Sequence, residues 1–502
     1  MNTVNGVDLT KLPQPILPGR PDWLELYDFS WKTAARNIRI SHGRRHMDVA
    51  WDPARNCQWV WDACFMALYC RYGNGQYPGL ESLDNFYDMQ HADGYIGMTY
   101  DMTTNEEPWP NRINPPLFAW VEWEHYCTTG DSSRFSRTIA HIEKLMAWID
   151  ANRQTAPHRR RATFDSPNDG RGESEDTYRL YHFEDCGSSG MDDSPRTPRN
   201  AEAGRFFDWI DLSSQMSLSF RLLARMHEVI GNSARAKEWN ARASATGELV
   251  NSELWCKSTR FYHDRSIPGN YVSTKTVAGF WPILAGICPD DRLDDLIAHL
   301  ENTEEFNRTI PVPSLSADDA NFSHDGIYWR GGVWASTNYM VTRGLMCAGR
   351  GETAHAIAVK YLDGLAKTYS QVSPHTLWES YCSEKFTPGM TPYTQKSVKP
   401  DFVGWTGIGP IAMLIENILC IDLNAPEKRI DWTIRLADEH GVRQLAIPGG
   451  HVDLVCEKRE GTDAPANVSV SATAPIRVCI ACNGRSKVLD ITPGKTCKAK
   501  IQ

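Results

Sequence analysis

The sequence predicts a mainly helical fold, an (α/α)6 toroid, followed by a small β-sandwich-like region. Two observations predict it: helical periodicity recurs through the first four fifths of the 502 residues, and the pattern changes to short alternating strands near Asp422. A composition that is 41% hydrophobic and 23% charged is typical of a globular chain that buries a sizeable core.

The helical segments are identified by apolar residues that recur every three or four positions. In the sixth segment, Leu212, Met216, Leu223, Met226 and Ile230 fall on one face of a helix. The predicted segments are 24–38, 59–72, 79–91, 113–129, 132–153, 209–230, 232–250, 275–287, 290–301, 332–349, 351–371 and 402–421.

Short turns join several of these segments in pairs. At 129–131 and 231–232, Gly or Asn can end one helix, and Asp or Ser can cap the next. Helices in antiparallel pairs fit either an open solenoid or a closed toroid. Because the sequence shows no self-similar repeat of the kind that a solenoid needs, we expect the toroid.

Longer loops rich in Trp, Asp, Gly and Pro separate the pairs. These loops are 51–58, 92–112, 154–208, 303–331 and 372–401. Long loops in a compact domain are usually functional. We therefore expect them to gather at one mouth of the toroid, around a pocket.

The C-terminal part has a different character. Alternating runs such as 443–446, 452–456, 468–471 and 477–481 are separated by Gly, Pro and Asn turns. We therefore expect a helical domain at 1–421, which would carry the pocket, and a small β-rich domain at 422–502. Because this second domain contains one Trp, Trp432, a role in packing is favoured over carbohydrate binding.

Composition and motifs exclude several classes of function. The net charge is -9 and the single basic run, at 158–161, is short, so the sequence predicts no basic surface for binding nucleic acid. The polar, Pro-rich N-terminus predicts neither a secretory signal nor a membrane span, so we expect a cytoplasmic protein with no membrane partner. Fourteen scattered Cys fit reduced thiols, and Cys479 and Cys482 form a lone CxxC pair. With no zinc or nucleotide motif, we expect no metal and no cofactor.

Tryptophan is unusually frequent and concentrated in loops and at helix starts. Indole rings stack on the C–H faces of sugars, while Asp, Gln and Arg bind the hydroxyl groups. This combination favours a small carbohydrate as the ligand, although any single Trp could equally fill the core. The loop tryptophans are Trp51, Trp59, Trp61, Trp109, Trp329, Trp334, Trp378 and Trp405.

Two groups of candidate residues flank the second and third helical segments. Trp59, Trp61 and Asp62 stand at a helix start, where alternation puts both indoles on one side. Asp62 could instead simply favour the helix dipole. Gln90 and Asp93 extend into the next long loop and are plausible partners for sugar hydroxyls.

The longest loop carries two adjacent carboxylates, Asp192 and Asp193, after the flexible Gly187 and Gly190. Such a loop can project an acid into a pocket, but Asp and Ser before Pro are also common turn formers. The same loop contains other carboxylates, so the residues alone do not choose among them. These are Asp165, Asp169, Glu173, Glu175, Asp176, Glu184 and Asp185.

Two further motifs follow in the last two long loops. The segment 328–334 joins Tyr328, Trp329 and Trp334 to Arg330, which can orient a carboxylate or donate to a sugar oxygen. In the segment 378–381, Glu379 lies between Trp378 and Tyr381. Partial desolvation there would raise its pKa and make it a usable base near neutrality, although a buried, paired Glu is equally plausible.

Taken in order, these motifs resemble those of a known enzyme family. The sequences at 59–62, 189–196, 328–334, 378–381 and 404–405 are similar to those of the glycoside hydrolase family that includes processing α-glucosidase I and the mannosylglycerate and glucosylglycerate hydrolases. Trehalases are similar more distantly. The resemblance covers roughly residues 45–425, and it implies a six-hairpin glycosidase fold and hydrolysis with inversion of the anomeric carbon.

The resemblance also implies roles for individual residues. Asp192, directly after Gly190 and Met191, matches the general acid, and Glu379 matches the general base. The matches for sugar contacts are Trp61, Asp62, Trp329, Arg330 and Trp334, with Gln395 a weaker match. We add Trp59, Gln90, Asp93, Gly190, Tyr328 and Trp405 as candidate substrate-binding residues.

The sequence departs from the family after Glu379, where 380–385 replaces a Tyr-Asn pair and a Gly-rich turn, so Glu384 is a rival base. Two other functions also remain open. One is a sugar epimerase or isomerase that uses His182, His263 or His324, since a fold does not determine a reaction. The other is a carbohydrate-binding protein without catalysis. The leading hypothesis is an inverting hydrolase that releases a hexose, glucose by preference, from a small α-linked glycoside.

Overall fold

The computed structural model describes residues 3–47, 56–155, 180–197, 204–267 and 269–501. Several sequence predictions lie outside these residues. They concern Trp51, the basic run 158–161, and the carboxylates Asp165, Asp169, Glu173, Glu175 and Asp176.

Twelve helices are present in the described residues, one in each predicted segment. They are α1 (Pro21–Arg36), α2 (Val60–Cys70), α3 (Gly79–Asp88), α4 (Phe118–Thr129), α5 (Phe135–Asn152), α6 (Ile210–Val229), α7 (Ser233–Glu253), α8 (Trp281–Ala285), α9 (Asp290–Glu301), α10 (Ala335–Cys347), α11 (Gly351–Gln371) and α12 (Gly409–Ile418). Helices α8 and α12 begin later than predicted because Pro282 and Pro410 stand in their first turns, a position where proline starts a helix. Helix α12 is wound as a π-helix.

The even-numbered helices pack against one another in chain order. Contacts run from α2 to α4, α6, α8, α10 and α12, and α12 contacts α2 again. Among the odd-numbered helices, α3, α5, α7 and α11 each pack against an even-numbered neighbour. The mainly helical part of the prediction is therefore confirmed.

A buried polar network joins the C-terminal halves of several even-numbered helices. Arg71, which caps the end of α2, donates to Glu124 of α4 and to Glu416 of α12. Arg343 of α10 donates to both oxygens of Glu124, at 3.1 and 3.0 Å. Burial alone would raise the pKa of Glu124, but Arg343 and Arg71 together hold it below its usual value. Since Tyr339 of α10 also contacts Glu416, this network ties together α2, α4, α10 and α12.

Short strands connect the helices. They are β1 (Thr3–Val4), β2 (Val7–Asp8), β3 (Gln14–Ile16), β4 (Ile38–Ser41), β5 (Arg44–Met47), β6 (Cys57–Trp59), β7 (Thr99–Asp101), β8 (Phe207–Asp208), β9 (Trp255–Cys256), β10 (Phe261–Tyr262), β11 (Arg265–Ser266), β12 (Gly332–Val333) and β13 (Tyr381–Cys382). Most form two-stranded antiparallel pairs. The pairs β6–β7 and β12–β13 matter most here, because each lies beside a motif identified in the sequence.

The C-terminal region forms two sheets. Its strands are β14 (Ile421–Asn424), β15 (Arg429–Thr433), β16 (His440–Ile447), β17 (Gly450–Cys456), β18 (Ala466–Ala472), β19 (Ile476–Cys482), β20 (Arg485–Ile491) and β21 (Thr496–Ile501). One sheet has the order β14-β15-β19-β20 and the other β21-β18-β17-β16-β3. Alternate residues of β19, from Ile476 to Cys482, are buried, as in a strand with one face on a core.

Strand β3 comes from the N-terminus and pairs with β16, with Val442 opposite Pro15. The predicted division at 421/422 does not include this pairing, because three residues near a chain end carry no local signal for a partner more than 400 residues away. The N-terminal segment therefore contributes to the sheet of the region predicted as a separate domain. Among the helices that the structure describes, none combines the length and the apolar character needed to cross a bilayer.

The Arg71 network generates a prediction for stability. Arg71→Ala removes the cation, while its partners Glu124 and Glu416 remain buried. We therefore expect the free energy of unfolding to fall by about 3 to 5 kcal/mol. Chemical denaturation followed by circular dichroism measures this change. The control is Arg350→Ala, which breaks an exposed pair with Asp294 and should cost less than about 1 kcal/mol. Equal effects from both variants would contradict a special role for the buried network.

Candidate active site

The loop that carries Asp192 is shaped by a glycine in a left-handed conformation. Gly190 has a φ of +79°, and a Cβ atom built on it would lie 3.2 Å from the indole of Trp61. The chain can therefore turn against this ring only where a side chain is absent. This close approach brings the start of α2 and the Asp192 loop together.

An arginine within the same motif, Arg196, holds the loop in place through buried ion pairs. Arg196 is fully buried and donates to the carboxylates of Asp211, in the first turn of α6, and Asp264. Its guanidinium also lies 4.6 Å from the ring centre of Trp209. Asp264 in turn accepts a 2.9 Å hydrogen bond from the backbone of Ile210, so one cation fixes the loop to the start of a helix.

Asp193 is the second carboxylate of the motif, and it binds the next motif in the chain. It is 1% exposed and accepts a 2.8 Å hydrogen bond from the backbone N–H of Trp329. The Nε atom of Arg330 lies 3.4 Å from the other carboxylate oxygen and also donates to the Asp193 carbonyl. Asp193 is thus a connector between two loops, whereas Asp192 is open to solvent although much protein surrounds it.

Glu379 is held by its side chain and by its backbone. Tyr328 donates a 2.9 Å hydrogen bond from its phenol to one carboxylate oxygen, and the N–H of Lys399 lies 3.4 Å from the other. The backbone N–H of Glu379 donates to the Lys399 carbonyl, and the indole N–H of Trp405 donates to the Glu379 carbonyl at 2.8 Å. These bonds fix the direction of the carboxylate.

Tyr328 itself takes an unusual backbone conformation, with a φ of +34°. A bulky residue in this region is strained, and such strain accumulates at functional sites. Behind it, the indoles of Trp329 and Trp334 stack with 4.1 Å between ring centres and planes only 4° apart. Both are buried, and Trp334 donates to the Tyr328 carbonyl. We expected these indoles to line a sugar subsite, and in the structure they form the support behind Tyr328.

The structure brings Asp62, Asp192, Tyr328 and Glu379 into one electrostatic unit. Burial by the surrounding protein is the larger cause and the charge of Glu379 the next, and together they raise the pKa of Asp192 to about 7. Burial followed by the charges of Glu379 and Asp192 raises the pKa of Asp62 well above its usual value. Burial also raises the pKa of Glu379, although the hydrogen bond from Tyr328 opposes this rise. At neutral pH the unit can therefore contain both a protonated and an ionised carboxyl group.

Residues at the start of α2 lie next to these carboxyl groups. The backbone N–H of Trp61 faces Asn114 at 3.5 Å, and Asn114 donates to the carbonyl of Ser188 in the loop that carries Asp192. Within the described residues the buried indole N–H of Trp61 has no hydrogen-bond partner, so it can donate to a ligand. Trp59, two residues earlier, packs on Trp109 with 5.1 Å between ring centres.

Three predicted contacts take other positions. The amide of Gln90 bonds to the carbonyls of Gly94 and His141, and its oxygen faces the His141 ring at 2.7 Å. Asp93 accepts from the indole N–H of Trp148 at 3.1 Å. Both side chains thus attach the loop after α3 to α5, because a polar loop over an outer helix needs partners for its backbone. Gln395 is exposed in a turn and has a φ of +52°.

The rival base and the rival histidines have partners of their own. Arg308 donates to both oxygens of Glu384, at 2.7 and 2.8 Å, and lowers its pKa. His263 lies between Thr259 and the Thr274 carbonyl, and burial lowers its pKa. His182 is buried against the Phe183 carbonyl, and His324 is exposed beside Glu384. These contacts favour Glu379 over Glu384 as the base.

Sequence reasoning missed several residues that complete the site. Asn114, Asp211, Asp264 and Lys399 hold the loops that carry the carboxyl groups. Asp211 could have been suspected, since a carboxylate in the first turn of a helix lies near the loops at that end. The other contacts arise from tertiary packing. Among the residues that the structure describes, no group of three or more His, Cys, Asp or Glu side chains is arranged to hold a metal ion.

Comparisons with known proteins identify a family for the chain. A model of the mannosylglycerate hydrolase MGH1-like glycoside hydrolase domain matches residues 55–388. An uncharacterized protein of Borreliella burgdorferi is 25% identical over 422 residues, 81% of each chain. A probable mannosyl-oligosaccharide glucosidase of Schizosaccharomyces pombe is 28% identical over 172 residues, which are 32% of this chain and 20% of that protein. The structure of a GH63 mannosylglycerate hydrolase of Thermus thermophilus with glucose has a TM-score of 0.59 and 18% identity, and covers 77% of this chain and all of that one.

The helical fold, the coupled carboxyl groups and the matching domain model define a glycoside hydrolase. The domain model covers more than half of the chain, and its range includes Asp62, Asp192 and Glu379. The chain therefore belongs to the mannosylglycerate hydrolase MGH1-like family of glycoside hydrolases. This confirms the family that the ordered motifs in the sequence indicate.

The close contact at Gly190 generates a prediction for activity. Gly190→Ala would force a side chain into a left-handed conformation and against Trp61, displacing the Asp192 loop. We expect kcat/KM for sugar release to fall by about 10- to 100-fold, since small misplacements of reacting groups are costly. The matched control is Gly187→Ala in the same loop, where a Cβ would meet its nearest atom at an ordinary 3.4 Å. A Gly190 variant as active as the Gly187 variant would contradict the role of this contact.

Proposed function

We propose that the protein is an inverting glycosidase that releases a hexose, glucose by preference, from a small α-linked glycoside. One observation carries this proposal: Asp192 and Glu379 interact within one site, where burial and the charge of Glu379 raise the pKa of Asp192 to about 7 and Tyr328 fixes the Glu379 carboxylate. An acid that is half protonated near neutrality and an oriented carboxylate are the two groups that inverting hydrolysis needs. The glucosidase and glucose in the descriptions of two similar proteins support the choice of sugar.

In this mechanism Asp192 donates its proton to the glycosidic oxygen as the bond to the anomeric carbon breaks. The neighbouring negative charge of Glu379 helps to keep Asp192 protonated before reaction. Glu379 takes a proton from a water molecule, and the water oxygen bonds to the anomeric carbon from the opposite face. Inversion needs room for that water, so we expect the two carboxyl groups to be about 6.5 to 9.5 Å apart.

The walls of the site have roles in binding. We assign Trp59, Trp61, Asp62, Tyr328, Arg330 and Trp405 to the sugar subsite, with Trp329 and Trp334 as its support. The free indole N–H of Trp61 and the raised pKa of Asp62 support this assignment, because both groups can donate to sugar oxygens. Gly190 contributes by letting the chain approach Trp61.

We extend the proposal to architecture and location. The circular order of contacts among the even-numbered helices supports an (α/α)6 toroid. The change from helices to strands near residue 421 supports a catalytic domain at 1–421 and a β-rich domain at 422–502, to whose sheet β3 adds a strand. The cysteines of the chain are free thiols, which supports a reducing compartment such as the cytoplasm.

The direct test is a screen of α-linked disaccharides and glycosyl-glycerates for release of reducing sugar. For the best substrate, proton NMR in the first minutes should show the β-anomer of the released hexose before mutarotation. Appearance of the α-anomer first would contradict inversion. Interconversion of a free sugar without new reducing ends would instead identify an isomerase.

The acid and the base should fail in different ways when they are removed. Glu379→Gln loses the base, so we expect rates to fall by about 10² to 10⁴ on a glycoside and also on the matched glycosyl fluoride. Asp192→Asn should fail on the glycoside but keep much of its activity on the fluoride, which departs without full protonation. The wild-type rate on the glycoside should decline as the pH rises through about 7, because Asp192 must be protonated.

The pH profile of Asp192→Asn on the fluoride is the control for this assignment. On the fluoride, the wild type and Asp192→Asn should both lack the decline above pH 7 that the wild type shows on the glycoside, since the fluoride needs no proton from Asp192. If Asp192→Asn is as inactive on the fluoride as on the glycoside, Asp192 is not the acid.

A further inference from the structure

An ion pair joins the segment before α4 to the loop that carries Asp192. The guanidinium of Arg112 lies 2.8 Å from the carboxylate of Asp185, which stands earlier in the same loop as Asp192. The side chain of Asp185 is 12% exposed and that of Arg112 is 30% exposed. Because both are partly buried, solvent ions screen this pair less than they screen a fully exposed one.

Asp185 also organises the turn that leads to Asp192. Its second carboxylate oxygen accepts a 2.9 Å hydrogen bond from the backbone N–H of Ser188. Its carbonyl lies 3.3 Å from the backbone N–H of Ser189, which donates to it. One oxygen of the carboxylate is thus occupied by Arg112 and the other by the turn, so the cation is attached to the backbone that presents Asp192.

The backbone on the Arg112 side is fixed as well. The carbonyl of Arg112 accepts from the N–H of Met98 at 2.9 Å and from the phenol of Tyr95 at 2.8 Å. Two residues further along the chain, Asn114 donates to the Ser188 carbonyl at 3.0 Å. The segment 112–114 therefore contacts the turn at two points, and it presents the guanidinium from a backbone that is itself held.

Several elements place charged groups around Asp192. They are Asp62 in α2, Tyr328 and Glu379 in the later loops, and Asp185 and Asp193 in the same loop. The charge of Asp185 adds to burial, the largest cause, in raising the pKa of Asp192. Each of the two loop carboxylates has an arginine: Arg330 lies 3.4 Å from Asp193, and Arg112 lies beside Asp185. Since a cation offsets the field of a neighbouring anion, Arg112 opposes the effect of Asp185 on Asp192.

We propose that Arg112 is a positioning residue that acts on Asp192 through Asp185. It holds the turn that presents Asp192, and it offsets the charge of Asp185 near the acid. This inference rests on the proposed function, because it needs Asp192 to donate a proton. Arg112 and Asp185 themselves take no part in proton transfer.

The test measures the pH at which the rate on the glycoside declines, which is about 7 in the wild type. Arg112→Gln leaves the charge of Asp185 unopposed and so raises the pKa of Asp192. Since the protonated form is active, the decline should move to higher pH by about 0.5 to 1 pH unit. Asp185→Asn leaves the cation unopposed, so the decline should move to lower pH by a similar amount. Arg112→Lys keeps the cation and should stay near the wild type.

The opposite directions of these shifts separate this role from a purely structural one. A turn that is merely displaced would lower kcat in both variants without moving the two declines apart. Arg477→Ala, which breaks an exposed pair with Asp490, is the control and should leave the decline in place. Declines that stay at the wild-type pH in both variants, or that move in the same direction, would overturn the inference.

An NMR titration separates this inference from the proposed function. In protein labelled with carbon-13 at the aspartate carboxyl groups, the signal of Asp192 is the one that Asp192→Asn removes. Its titration gives the pKa of Asp192 without turnover. If the wild type releases no sugar, the proposed function fails, and the titration in Arg112→Gln and Asp185→Asn still decides whether the ion pair acts on Asp192. Opposite changes support the inference, and an unchanged titration in both variants overturns it.

Discussion

The site depends on holding three carboxyl groups of like charge close enough to influence one another. Burial is the largest cause of the raised pKa of Asp62, Asp192 and Glu379, and the charge of Glu379 adds to the rise at Asp62 and Asp192. The phenol of Tyr328 opposes this rise at Glu379 alone, because it donates to that carboxylate. A single hydrogen bond thus helps to separate the group that stays ionised from those that retain a proton.

The nearby cations are directed to other carboxylates. Arg196 binds Asp211 and Asp264, so the loop is fixed without neutralising Asp192 itself. At the C-terminal end of α2, Arg71 and its partners Glu124 and Glu416 form a second buried network. Removing one partner from such a network is far more costly than the net stability that it contributes. The Arg196 pairs therefore fix the loop to the start of α6, and the Arg71 network joins α2, α4 and α12, without a cation paired to Asp192 in either set.

Local sequence patterns predict the helices well, because an apolar face repeats along each one, as Leu212 and Met216 illustrate in α6. They also identify the loops that carry the carboxyl groups. They do not predict contacts between distant segments, such as β3 with β16 or Asn114 with Ser188, since neither partner carries a signal for the other. Gln90 shows the same limit: a polar side chain in a long loop suits a ligand and a neighbouring helix equally well.

The adjacent residues Asp192 and Asp193 show why the residue type alone leaves the acid undetermined. Consecutive side chains of an extended or turning chain point in different directions, so two identical residues meet different surroundings. Asp193 turns inward, where it accepts a hydrogen bond from the Trp329 backbone and lies 3.4 Å from the Nε atom of Arg330. Asp192 is open to solvent within the site, where burial and the charge of Glu379 raise its pKa and the charge of Asp193 adds to the rise. The ionised residue therefore helps to keep its neighbour protonated, and the pair functions only because the backbone separates the two directions.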